Sequence, residues 1–108
     1  MEQPISPATE GENVGAARAT RKVPLLHKTG LHMRPAGRIM ELANKFKSNI
    51  RLGCADRSAN AKSILEMLSL AAPPGSELLL EAEGSDAEEA LNAIEALIRT
   101  RINVEEDV

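Results

Sequence analysis

Two rhythms of apolar residues run through the chain from about Ala19 to about Arg101, one with the period of a helix and one with the period of a strand. From Ala36 the apolar positions are 36, 39, 40, 43 and 46, the spacing of a single helix face. Pro35 stands at the start of that helix, where the missing N–H of proline costs nothing. Ahead of it, Arg21 to His27 predicts a short strand with Val23 and Leu25 on one face, and Pro24 assigns that strand to a sheet edge. Lys28-Thr29-Gly30 is a turn. Ile50, Leu52 and Cys54 alternate with polar or small residues, which predicts a second strand over 48–54. Ala55-Asp56 turns the chain into a third strand at 57–61, although neither residue is the glycine that a tight hairpin prefers.

Ser63 and Glu66 form an S-x-x-E capping box that opens a second helix carrying Ile64, Leu65, Met67 and Leu68. Ala72-Pro-Pro-Gly75 stops it. A fourth strand at 77–83 points Leu78, Leu80 and Ala82 inward. Ser85 and Glu88 predict a second capping box, followed by a final helix with Ala87, Ala90, Leu91, Ile94, Leu97 and Ile98 on its core face. The order β-α-β-β-α-β-α, each helix with one apolar face, predicts an α+β fold: one sheet with helices on one side.

With 108 residues, 43% of them hydrophobic and 27% charged, the chain is one ordinary domain. Residues 1–18, dominated by Pro, Gly, Ser, Glu and Asn, read as a disordered extension. Residues 19–102 form the domain, and 103–108 read as an acidic tail. The charge of −3 and a single aromatic, Phe46, argue against nucleic-acid binding, which favours basic surfaces and stacking rings. No stretch reaches the ~20 apolar residues of a membrane span. Three acids and no apolar run in the first twenty residues argue against a secretory signal. One cysteine, Cys54, makes neither an internal disulfide nor a cysteine-rich metal site, and reads as a small core residue of a cytoplasmic protein.

Chemistry concentrates in Gly30-Leu-His-Met-Arg-Pro-Ala36, between a strand and a helix start. A helix N-terminus offers unpaired N–H groups and partial positive charge, which together bind phosphate. His32 adds a nucleophilic imidazole and Arg34 a guanidinium shaped for phosphate. That set suits reversible phosphorylation of an imidazole nitrogen. The bland alternative is a histidine that merely caps the helix beside a solvated arginine.

The run TGLHMRPA, then AKSILEMLSL, then GSELLLEAEGSDAEEALNAI, resembles the HPr family over roughly residues 20–100 without a gap. These are the histidine-containing phosphocarriers of the bacterial phosphoenolpyruvate-dependent phosphotransferase system. The resemblance implies an open-faced β-sandwich, with a four-stranded antiparallel sheet and three helices on one face. It implies that His32 accepts a phosphoryl group on Nδ1 from enzyme I and donates it to an enzyme IIA component for sugar uptake, with Arg34 helping to hold and release it. Such a protein is a carrier and not an enzyme, works as a monomer, and needs no cofactor or metal. Ser63 matches the family's regulatory serine, the target in many bacteria of HPr kinase/phosphorylase, though a capping serine is needed there in any case. Four apolar residues among the five positions 64–68 exceed what one helix face can bury and suggest a docking patch. By the resemblance, Ile64, Leu65 and Leu68 lie beside His32, and Met33 and Gly37 line the other edge.

Departures from the family pattern are Met33 in place of a smaller residue, the Ala55-Asp56 turn, and the long N-terminal extension. His27 lies outside the motif and reads as a surface residue at a strand end. Two alternatives remain open at this point: a regulatory paralogue, for example in a nitrogen-related phosphotransfer chain, and a small ligand-binding regulatory domain without covalent chemistry.

Overall fold

The computed structural model describes residues 17–104. Four strands, β1 (Ala17–Pro24), β2 (Asn49–Cys54), β3 (Arg57–Asn60) and β4 (Glu77–Gly84), form an antiparallel sheet in the order β1-β4-β2-β3. Three helices, α1 (Met33–Ala43), α2 (Ile64–Leu70) and α3 (Ala87–Leu97), cover one face, and a turn of π-helix (Ile98–Ile102) extends α3. α3 packs on β1 and β4, α2 packs on β3 and β2, and α1 lies against both helices. This is the sheet with helices on one side that the element order predicts, and the open-faced sandwich that the resemblance implies.

The core follows the two rhythms. Val23, Ile50, Leu52, Leu78 and Leu80 point from the sheet toward Ile39, Ala43, Leu91, Ile94 and Ile98 of the helices, and all are buried. Cys54 joins them as a buried free thiol.

Several expectations need correction. The first strand spans 17–24 and not 21–27. Ala17 and Arg18, assigned to the extension, pair with Gly84 and Glu83. Pro24 ends the ladder, so residues 25–27 leave the sheet. The remainder of the extension, and residues 105–108 of the acidic tail, lie outside the described residues. Asn103, placed in that tail, belongs to the domain: its amide oxygen accepts from Leu26 N–H at 2.8 Å and its amide nitrogen donates to Pro24 C=O at 3.0 Å. The wide last turn, closed by Asn103 N–H to Ile98 C=O at 2.8 Å, brings it there.

The capping boxes are also incomplete. Ser63 caps α2, its hydroxyl accepting from Glu66 N–H at 3.2 Å, but the Glu66 carboxylate turns to Asn60 N–H at 2.9 Å. The cap of α3 is Asp86 and not Ser85, and its carboxylate is drawn off to residues 47 and 48.

Candidate functional site

The segment 25–32 leaves β1 and turns into α1. Two bonds to the loop before β4 hold it, from Leu25 N–H to Ser76 C=O at 2.8 Å and from Gly75 N–H to Leu25 C=O at 2.7 Å. The turn closes through Gly30 N–H to His27 C=O at 3.0 Å. Leu31 N–H then bonds Ala72 C=O at 3.0 Å. Gly30 has φ +72°, and a Cβ there would overlap the Ala72 oxygen. Only glycine admits both the left-handed backbone and the close approach.

His32 occupies the cap position of α1 with extended backbone, and its C=O accepts from Ala36 N–H at 3.0 Å. Its ring makes no capping hydrogen bond. The N–H groups of Met33 and Arg34 point out of the helix start without an intrahelical acceptor. Pro35, third in the helix, has no N–H to satisfy. No acidic side chain lies in the first turn. Arg34 is exposed and makes no ion pair with a described residue. The local charge is therefore positive, from helix dipole and guanidinium together.

His27 is not at the surface. It is 1% exposed, and its ring lies 5.1 Å from that of His32, tilted by 47°. The period that sets Val23 and Leu25 inward sets His27 inward as well, and this was the signal in the sequence that pointed to it.

Of the candidate docking residues, Leu65 is 75% exposed and Met33 61% exposed. Ile64 and Leu68 are half-buried against the core. The helix that spreads Ile64 to Leu70 buries Met67 and Leu70, so the surplus apolar side chain at Leu65 faces outward. Gly37 faces α2: a Cβ there would stand 3.6 Å from Ile64 Cδ1, an ordinary van der Waals contact. Ser63, at the start of the same helix, is half-buried.

Fold and site together define a small open-faced α+β sandwich that presents a histidine at a helix start. Residues 19–100 match the family model described as the PTS HPr component phosphorylation site. Phosphocarrier protein HPr of Cupriavidus necator is 38% identical over 81 residues, 75% of this chain and 91% of the relative. HPr-like protein Crh of Bacillus subtilis is 39% identical over 82 residues, 76% of this chain and 96% of the relative. Among solved structures, HPr-C-His from Thermoanaerobacter tengcongensis superposes with a TM-score of 0.76 at 38% identity, covering 82% of this chain and 99% of that one. An HPr dimer from the same organism gives 0.63 at 41% identity, covering 72% and 90%. The chain belongs to the HPr family of the phosphoenolpyruvate-dependent phosphotransferase system. It is a phosphocarrier protein and not an enzyme that turns over a substrate.

Proposed function

We propose that His32 carries the phosphoryl group between enzyme I and an enzyme IIA component in sugar uptake. The observation that carries this reading is the place of His32 at the cap position of α1, the helix start that offers the N–H groups of Met33 and Arg34. In the step, the Nδ1 lone pair of neutral His32 attacks the phosphorus of the phosphohistidine on enzyme I. The N–P bond of the donor breaks, its electron pair returns to the donor imidazole, and a new N–P bond forms on His32. With the donor ring protonated on its other nitrogen it leaves as a neutral imidazole, and with the His32 proton on Nε2 no proton need move. Arg34 and the helix-start N–H groups neutralise charge on the transferring group, which is most of what catalysis requires of a phosphoryl relay.

Donor and acceptor dock on Met33, Gly37, Ile64, Leu65 and Leu68. Exposed apolar side chains on two adjoining helices support this surface. Ser63, at the edge of that patch, is the site at which HPr kinase/phosphorylase would add a regulatory charge. The carrier works in the cytoplasm, as expected for its buried reduced thiol. It works as a monomer: among the described residues, edge strand β1 carries Arg18, Arg21 and Lys22, and edge strand β3 carries Arg57, charges that discourage edge-to-edge pairing.

The test is incubation with enzyme I and labelled phosphoenolpyruvate. Acid-labile, base-stable label that is confined to His32 and absent from His32→Ala is the expected result. Label on another residue, or none, overturns the reading. A small ligand-binding regulatory domain without covalent chemistry would give no label.

A further inference from the structure

His27 and Ser48 are the polar residues buried among the described ones, and His27 is a full imidazole placed next to the relay histidine. Burying such a ring is costly unless hydrogen bonds hold it. Its Nδ1 lies 3.3 Å from Thr29 N and 3.0 Å from Thr29 Oγ1. A backbone N–H can only donate, so Nδ1 is the acceptor and the neutral ring carries its proton on Nε2. The C=O of the same residue takes the Gly30 N–H at 3.0 Å. One residue thus ties down both Thr29 and Gly30, the turn that delivers the chain to His32. Its ring then meets the His32 ring at 5.1 Å.

An imidazole without neighbours turns broadly about its last side-chain torsion. Phosphoryl transfer needs the attacking nitrogen in line with the bond that breaks, and a misplacement of about 1 Å can cost ~10²-fold in rate. The geometry points to His27 as a positioning residue for the relay: it locks the 28–30 turn and restricts the His32 ring so that the attacking nitrogen meets the incoming phosphorus. This rests on the reading of His32 as the phosphorylated residue.

His27→Asn separates positioning from folding. The asparagine side-chain oxygen takes the place of Nδ1 as acceptor for Thr29, while the ring against His32 is lost. The expected result is a melting temperature close to wild type, an unchanged KM for enzyme I, and a kcat for His32 phosphorylation lower by roughly tenfold. Wild-type kcat in His27→Asn overturns the proposal. A second measurement needs no variant: imidazole ¹⁵N spectra of the wild-type protein are expected to show an unprotonated His27 Nδ1 and proton contacts between the two rings. A protonated Nδ1 in the neutral ring, or no contact, overturns the proposal even if His27→Asn fails to fold. Absence of label on wild-type His32 would instead strike the functional reading and leave the ring contact intact.

Discussion

The carboxylate of Asp86 accepts two hydrogen bonds from Ser48, one from its backbone N–H at 2.9 Å and one from its hydroxyl at 2.5 Å, and a third from Lys47 N–H at 2.9 Å. This fastens the connection between α1 and β2 to the start of α3. Gly84 completes the contact, since a Cβ there would collide with Ser48. The Ser48 hydroxyl, followed by the Lys47 N–H, holds the Asp86 carboxyl below its ordinary 3.8.

A carboxyl whose folded-state value is depressed binds fewer protons folded than unfolded in that range. Its stabilisation is present above about pH 3.8 and is lost as pH falls through the folded value. Asp86→Asn is therefore expected to melt earlier than wild type at pH 7, with the gap narrowing in buffers below pH 3.8. Thermal melts of both proteins across pH 2 to 7 check this. A gap that stays constant down to the lowest pH would show that the loss comes from geometry and not from the charge.

Arg34→Ala is expected to slow phosphoryl transfer by ~10²–10³, because in the proposed relay the guanidinium acts on charge that develops during transfer. It is exposed and makes no ion pair with a described residue, so the described fold loses nothing with it. The KM for enzyme I should stay within about twofold, since the proposed docking surface is the apolar patch and not Arg34. Rapid-quench single turnovers with phosphorylated enzyme I decide it, and a wild-type rate would reduce Arg34 to a surface charge.

Ala71 closes α2 in the left-handed region, with φ 51° and ψ 41°, its N–H bonded to Leu68 C=O at 3.1 Å. An L-residue there costs about 1–2 kcal/mol, which glycine avoids. Glycine gives back about 0.4–1 kcal/mol through the freer unfolded chain. The methyl group of Ala71 is exposed, so its loss removes no packing. Ala71→Gly should stabilise the protein by roughly 0.5–1 kcal/mol. The readout is a higher denaturant midpoint at unchanged m-value. An unchanged or lower midpoint would contradict it.

The elements that could be read from the sequence are those whose own residues carry the pattern. Positions 36, 39 and 43 of α1 and 78, 80 and 82 of β4 are buried as their spacing requires. The misreadings trace to tertiary contacts. Ala17 and Arg18 have no strand-like character of their own and are ordered by Gly84 and Glu83 across the ladder. Asp86 caps α3 by position, but its carboxylate answers to Ser48, 38 residues away. Asn103 looks like the first residue of a polar tail until its bonds to residues 24 and 26 are seen. In the site, the GLHMRPA run placed His32 and Arg34 correctly at the helix start, because cap, proline and glycine constraints are local. The burial of His27 was legible in the alternation with Val23 and Leu25, whereas its neighbour in space, the His32 ring, comes only with the folded turn.

Ser63 allows its two roles to be told apart. Its hydroxyl accepts from Glu66 N–H at 3.2 Å, so Ser63→Ala loses a cap worth about 1 kcal/mol and should melt earlier. Aspartate is as good a cap as serine and adds negative charge to a helix start, where it stabilises by ~0.3–1 kcal/mol. Ser63→Asp should therefore melt at or above the wild-type temperature. The same charge stands next to Ile64 and near the exposed Leu65, on the surface assigned to enzyme I. Charge brought into an apolar interface costs desolvation, and it adds repulsion against an acidic partner. Ser63→Asp should raise the KM for enzyme I about tenfold or more while leaving the Ser63→Ala value near wild type. Melts and transfer kinetics on the two variants give opposite orders if both roles are real: alanine worse in stability, aspartate worse in docking. Normal docking by Ser63→Asp, beside an early melt of Ser63→Ala, would leave the serine a cap and nothing more.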